Sequence, residues 1–338
     1  MKLYRLVGPG GDDRLQLHEE PKPRVGPKDL LVRIGAVSLN YRDLMVLENR
    51  YAHGALPDGL IPCSDGAGKV VATGDQVDRA AVGDRVAGLF MPRWLGGAFE
   101  ERFRYDALGG DRDGVLAEYA VFDQEAVVHI PDHLSFAEAA TLPCAALTAW
   151  HALFGPRPVL PGEDVLLKGT GGVSLFALAF AKMAGARCIL TTTHAEKRDR
   201  ARDLGADEVI VLSETDDWPK ALRDATAGRG VDHIVEVVGG ETLSQSIHAA
   251  RNGGQIHYIG AQSKGSIDPV DLRRKNIELR GVYVGSRAQF MAMNRAIGYA
   301  GYRPVVDTVF PFPDALKAYQ YLRLQKHIGK VVIAMDSP

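Results

Sequence analysis

The chain has 338 residues, 46% hydrophobic and 24% charged, which places it with soluble globular proteins of one large or two ordinary domains. Forty basic and forty-two acidic residues leave a net charge of -2, which argues against nucleic acid as a main partner. Charges at Lys2, Arg5, Asp12 and Asp13 interrupt any N-terminal signal core, and the longest apolar stretch, 173–181, is far too short for a bilayer. Cys63, Cys144 and Cys188 form no close pair in sequence, which suits a reducing compartment and not a disulfide framework. A cytoplasmic protein with neither membrane nor nucleic-acid partner is therefore expected.

Residues 1–125 read as β-rich. Short strands are predicted at 2–7, 15–19, 30–37, 69–73, 85–89 and 115–122, with a short helix at 41–48. Pro21, Pro23, Pro27, Pro57 and Pro62 punctuate them, as in an irregular barrel. Segment 91–113, with Trp94 and two Gly-Gly pairs, reads as a long loop, and such loops are often functional. From Ser135 the pattern changes. Ser135 and Glu138 have capping-box spacing and open a helix that Pro143 interrupts before a second helix at 147–153. Strands at 165–167, 187–191, 208–212, 233–237, 255–259 and 278–282 then alternate with helices at 173–183, 196–204, 217–225, 242–250 and near 270–274. Strands linked by crossover helices predict an α/β fold with a doubly wound parallel sheet. A strand at 305–310, a helix at 314–324 and a strand at 330–334 are expected to return to the first domain. The predicted domains are 1–125 with 303–338, and 126–302.

The most informative stretch is Gly169-Thr170-Gly171-Gly172, between a short apolar strand and the predicted helix that begins at Val173. The pattern is G-x-G-x-x-S, with Ser174 where a third glycine would stand. A strand that passes through glycines into a helix leaves free backbone N–H groups at a positive dipole end, which suits a dinucleotide pyrophosphate. About twenty residues on, an NAD-preferring chain places an acid at the end of its second strand. Here Thr192 stands there, followed by Thr193, His194, Lys197 and Arg198. A carboxylate would repel the 2′-phosphate of NADP, whereas threonine hydroxyls with a nearby cation would bind it. NADP(H) is therefore expected over NAD(H). The alternative is that Lys197 and Arg198 are solvated helix charges and either cofactor is accepted.

Gly66-Ala-Gly68-Lys-Val70, Val82-Gly-Asp84-Arg-Val86, Leu116-Ala-Glu-Tyr119, Ala139-Ala-Thr-Leu-Pro143, Leu204-Gly-Ala-Asp207, Val231-Asp232 with Glu236, and Gly329-Lys-Val331 complete the pattern. In this order and spacing the chain resembles the medium-chain dehydrogenase/reductase superfamily over nearly its whole length. The resemblance implies a Rossmann domain beside a β-rich GroES-like barrel domain, nicotinamide-dependent hydride transfer and a homodimer, which edge strand 278–282 could form. It implies cofactor contacts at Thr148, Gly169, Thr170, Gly171, Gly172, Val173, Thr192, Thr193, His194, Lys197, Val238, Gly260, Val284, Gly285 and Lys330.

Zinc is not expected. The ligand positions of zinc alcohol dehydrogenases fall on Asn40, on Ser64-Asp65 and on Cys144, and the lobe with a structural zinc is missing. One thiol with Asn and Ser falls short of the three protein ligands a catalytic zinc takes. Asn40-x-x-Asp43 and Pro62-x-x-Asp65-x-Ala-Gly68 instead resemble zinc-free quinone oxidoreductases and enoyl reductases, which reduce conjugated carbonyls and hold the developing enolate by hydrogen bonds. The expected substrate is a small, conjugated carbonyl or a quinone. Two features point elsewhere: the length of 91–113, and segments 143–150 and 286–290, which look like bacterial relatives called alcohol dehydrogenases. An alcohol dehydrogenase for small alcohols or aldehydes and a non-enzymatic NADPH-binding protein remain alternatives.

For single residues, two readings stand side by side. Asn40 contacts the nicotinamide or the substrate carbonyl, or merely ends a strand in a turn. Asp43 and Asp65 transfer a proton as a carboxylate pair, or shape the site through a salt bridge or cap. Tyr51 donates its phenol to an enolate, or is an ordinary half-buried tyrosine. Trp94 is a lid or a loop anchor. Cys144 reads as a buried small hydrophobe. His53, His129, His151 and His194 show no ligand spacing.

Overall fold

A computed structural model describes residues 1–51, 56–260 and 263–335, so His53 lies outside the described residues. The chain divides into two compact units, Met1–Leu147 with Val284–Pro338, and Thr148–Tyr283. These boundaries differ from the expected 125/126 and 302/303. The strand at Val127–His129 pairs with that at Arg85–Gly88, and Arg287 and Asn294 donate to the Trp94 and His129 carbonyls. Both flanking segments are thereby bound into the first unit.

Elements are numbered along the chain. In the first unit, β1 (Lys2–Leu6) and β2 (Leu15–Glu19) form an antiparallel pair. β3 (Asp29–Ser38), β4 (Asp65–Thr73), β5 (Arg85–Gly88), β6 (Tyr119–Asp123), β7 (Val127–His129), β14 (Val306–Pro311) and β15 (Lys330–Ala334) form the main sheet, in the order β14-β15-β3-β4-β5-β7 with β6 also on β3. β3 is the hub because Leu30, Val32, Ile34 and Val37 all bury into one core with Val70, Phe122, Val331 and Ile333. Its pairing with β4 shifts register near Ile34. A Cβ on Gly68 there would lie 2.1 Å from the Arg33 carbonyl oxygen, so only glycine fits the close approach.

Helix α1 (Tyr41–Leu47) follows β3, and α10 (Ala315–Arg323) buries Ala315, Ala318, Tyr319 and Leu322 at helical spacing. The Ser135 capping box forms as expected and opens the short helix α2 (Phe136–Ala139). Pro143 does not break the helical path but sits at the start of a π-turn, Leu142–Ala146, that runs into α3 (Leu147–Leu153). Segment 91–113 is a loop with one 3-10 turn at Glu101–Phe103. Trp94 is buried in it, stacked on Phe103 at 5.9 Å and held through its carbonyl by Arg287 at the start of α9 (Arg287–Ala300), so it anchors the loop. The strand predicted at 115–122 is shorter, beginning at Tyr119, and β4 is longer, beginning at Asp65.

The second unit holds β8 (Asp164–Lys168), β9 (Arg187–Thr192), β10 (Glu208–Val211), β11 (Val231–Glu236), β12 (Ala250–Tyr258) and β13 (Glu278–Gly281). All pair in parallel, in the order β10-β9-β8-β11-β12-β13. The crossovers carry α4 (Gly172–Met183), α5 (Arg198–Asp203), α6 (Trp218–Ala225), α7 (Gly240–Ala249) and α8 (Pro269–Lys275). β8 and β11 are buried along their whole length, as central parallel strands covered on both faces are. Strand order reverses between β8 and β11. In open α/β sheets ligands bind at the carboxyl ends of the strands at such a switch point.

Candidate active site

Leaving β8, the chain turns at Gly169, whose φ of +79° is readily open only to glycine, and whose N–H donates to the Thr191 carbonyl at 2.8 Å. Thr170 is buried beside it, and Gly171 caps α4, whose first residues are Gly172 and Val173. A Cβ on Gly169 or Gly171 would meet nothing within 4 Å. First-turn amides have no partner within their own helix, so this helix start, with room at both glycines, suits an anionic group. Ser174 explains itself: its buried hydroxyl donates to the Lys168 carbonyl at 2.7 Å and pins the helix to its strand.

At the end of β9, Thr192 is buried and its hydroxyl oxygen accepts from the His194 N–H at 3.2 Å, closing the turn. Thr193 is exposed, and His194 faces Glu196. Lys197 is buried in the short turn Ala195–Lys197 and is not a solvated helix charge; Arg198 is paired with Glu214. The strand end thus carries no acid at position 192.

The switch point holds a buried ion pair that sequence reasoning left out of the site. Lys168 Nζ lies 2.8 Å from Glu236 Oε2, with their side chains 3% and 0% exposed. Burial lowers the ammonium's pKa while Glu236 opposes the shift. Glu236 also accepts from the backbone N–H groups of Val238 and Gly239 and from the hydroxyls of Thr242 and Ser246. The available signal was a charged residue at the last position of each of two buried strands. Gly260 packs so closely that a Cβ would lie 2.4 Å from the Val237 carbonyl carbon. Thr148 is buried in α3.

In the first unit, Asn40, Asp43, Asp65, Cys144 and Lys330 come together. Asn40 is the N-cap of α1, and its backbone N–H donates to Asp43 Oδ2 at 2.7 Å. Lys330 donates to the Leu39 carbonyl and to Asn40 Oδ1, both at 2.5 Å. Asp65 accepts from the Ser64 hydroxyl at 2.6 Å and from the Cys144 N–H at 3.0 Å. Both carboxylates are wholly buried. Burial pushes Asp43 up to about 6 against the nearby Arg42 guanidinium. Burial also raises Asp65, opposed by Lys330, Ser64 and Asn40. Burial lowers Lys330, with Asp65 its main opposing charge, and pushes the Cys144 thiol well above its ordinary value.

The Tyr51 ring lies 4.5 Å from the Arg42 guanidinium, which pairs with Asp43 at the edge of this cluster. Cys63 holds a φ of +69° and its Sγ lies 3.1 Å from the Tyr319 hydroxyl. Val284 and Gly285 fall in the first unit and not in the dinucleotide unit. Val284 adopts a φ of +36°, a strained conformation for a β-branched residue. Among the described residues no group of three or more His, Cys, Asp or Glu side chains is arranged to hold a metal ion.

Residues 26–132 match the alcohol dehydrogenase GroES-like domain, and residues 172–298 match the zinc-binding dehydrogenase family. A zinc-type alcohol dehydrogenase-like protein of Schizosaccharomyces pombe is 42% identical, covering 96% of either chain. The structure of an NAD-dependent alcohol dehydrogenase is 32% identical with a TM-score of 0.90, covering 99% of this chain and 100% of that one. A quinone oxidoreductase of Pseudomonas syringae pv. Tomato DC3000 is 26% identical with a TM-score of 0.82, covering 98% and 99%. With the reversed parallel sheet, the glycine turn and the barrel domain in place, the chain belongs to the medium-chain dehydrogenase/reductase superfamily of oxidoreductases.

Proposed function

We propose that this oxidoreductase works without zinc and uses NADPH to reduce a small conjugated carbonyl or a quinone. The observation that carries the reading is the Lys330 ammonium, which lies against Asn40 where the resemblance would have the zinc ligands meet. The donor set does not fit zinc. Lys330 already donates to Asn40 Oδ1, Asp65 is held by Ser64 and Cys144, and the Cys144 thiol is raised, so it resists becoming the thiolate a metal needs. A divalent ion would also sit beside a fixed positive charge. The zinc-binding family match covers 172–298, which contains none of these positions.

In this reading the nicotinamide supplies the hydride. The first turn of α4 binds the pyrophosphate, with Gly169 and Gly171 leaving room for close backbone approach. Asn40, its oxygen held by Lys330, has its amide nitrogen beside Asp65 as the donor end, the sense required to hold a developing enolate oxygen. Asp43 and Asp65 balance Arg42 and Lys330 and shape the site, since their hydrogen bonds run to neighbouring groups of the same cluster. Conjugated acceptors suit such a site because hydride adds to carbon and the charge spreads over the enolate. Lack of an acid at Thr192 supports NADPH, while the NAD dependence named for one relative keeps NADH as the rival cofactor. Free cysteines suit a reducing cytoplasm, and β13, paired in the second unit's sheet to β12 alone, offers an edge for a homodimer.

The names of the relatives favour a second reading, an alcohol dehydrogenase for small alcohols or aldehydes. Loss of NADPH absorbance with a panel of quinones, enones and aldehydes, alongside elemental analysis, separates the two. Turnover of enones or quinones by zinc-free protein is expected. About one zinc per chain, lost together with activity on chelation, would overturn the proposal.

A further inference from the structure

Lys168 is fastened at both ends. Its carbonyl accepts the Ser174 hydroxyl at 2.7 Å, which ties it to the helix behind the glycine turn, and the next residue, Gly169, is held to β9 through Thr191. Its Nζ reaches across to β11, 2.8 Å from Glu236 Oε2 and 3.4 Å from the Ser246 hydroxyl, with the Trp218 ring 5.1 Å away. Glu236 in turn gathers the turn that leaves β11. Its Oε1 accepts from the N–H groups of Val238 and Gly239 at 3.0 and 3.2 Å and from the Thr242 hydroxyl at 3.0 Å, and its Oε2 accepts from Ser246 at 2.6 Å. One lysine therefore joins the turn after β8 to the turn after β11, across the strand pair where sheet order reverses.

A doubly wound sheet is two mononucleotide-binding halves, and these two turns belong to different halves. Burying an ion pair costs desolvation that its own attraction seldom recovers in full, so a packed apolar pair would hold the strands at least as well. What an apolar pair would lack is the four-fold grip of Glu236 on the turn and helix start after β11, and a direct link from that turn to the other. We propose that Lys168, acting through Glu236, is a positioning residue that sets the spacing of the two turns to the length of the intact dinucleotide. The inference rests on the cofactor reading above.

Lys168→Met removes the charge at nearly constant length. NADPH and adenosine 2′,5′-bisphosphate, which lacks the nicotinamide half, are the two probes, titrated by fluorescence or calorimetry. The Kd for NADPH should rise about tenfold, corresponding to a coupling of ~1.4 kcal/mol, while that for the bisphosphate stays within about twofold. An unchanged NADPH affinity, or equal weakening of both probes, would overturn the coupling. Glu236→Gln keeps the acceptor oxygen but breaks the charge pair, and should show the same selective loss. If neither variant folds, the pair is a fold determinant and the inference fails. Wild-type protein that binds neither probe would instead overturn the cofactor reading.

Discussion

Gly171 and Gly169 look alike in sequence and differ in what they require. Gly171 has ordinary extended backbone with free space where a Cβ would stand, whereas Gly169 is left-handed. Gly171→Val should therefore fold with an unchanged circular dichroism spectrum, yet fill the room a pyrophosphate needs and abolish measurable NADPH binding. Unchanged affinity in the folded variant would show that the cofactor lies elsewhere. Thr192 gives a second test. A 2′-phosphate carries roughly one and a half to two negative charges at neutral pH, and a charge-assisted contact is worth on the order of 1.5–3 kcal/mol, or tenfold and more in affinity. NADPH should be preferred at least about tenfold, and Thr192→Asp should reverse the preference. Equal use of both cofactors by the wild type, measured as kcat/KM, would sink the assignment.

Asp232 makes a pH test. Burial would push its carboxyl up, but hydrogen bonds from Arg229 and Arg251 outweigh this and hold it well below its ordinary value of 3.8. The unfolded chain binds that proton more readily, so the contribution is present above pH 3.8 and is lost as pH falls below it. Asp232→Asn should cost on the order of 2 kcal/mol near neutrality and flatten the acid limb of urea unfolding measured against pH. Local geometry was partly legible in the sequence. The strand–turn–helix conformation at the glycines was, because its parts are contiguous. Lys330 was expected at the cofactor, but its ammonium reaches a residue 290 positions upstream. Lys168 and Glu236, 68 positions apart, were invisible as a pair for the same reason.

At the scale of elements, local signals carried furthest where one mechanism sufficed. The Ser135–Glu138 box is made in both directions, Ser135 N–H to Glu138 at 2.7 Å and Glu138 N–H to Ser135 at 3.2 Å. Ser135→Ala should lower stability by about 1 kcal/mol in thermal or urea unfolding, and a neutral result would mean that tertiary contacts alone hold α2. The central strands of the parallel sheet were legible as largely apolar runs because both their faces are covered, whereas β13, at the edge, is only partly buried. β7 was missed: three residues, Val127–His129, are too few to show a period and pair only through β5. Pro143 looked like a helix break because its missing N–H does remove one bond, but a wider π-turn absorbs the loss.

For the molecule as a whole, the expected order of barrel, dinucleotide sheet and C-terminal return holds, while its boundaries moved because pairing and not composition decides which sheet a segment joins. The first unit is written in two pieces and the second in one. β15 joins β3 and β14, and Lys330 at its start reaches the Leu39 carbonyl. A chain emerging from the ribosome can pair β3 with β4 and, over Asp29–Arg33, with β6, but holds Ala36–Ser38 with one edge bare until β15 appears, although β3 is among the earliest strands made. The dinucleotide unit is complete long before that. Folding during synthesis should run against the order of translation, the middle of the chain first and its beginning last. In nascent chains halted near residue 310, amide exchange should be slow across β8 to β12 and fast at Ala36–Ser38 of β3; protection of Ala36–Ser38 at that length would show that this edge closes without β15.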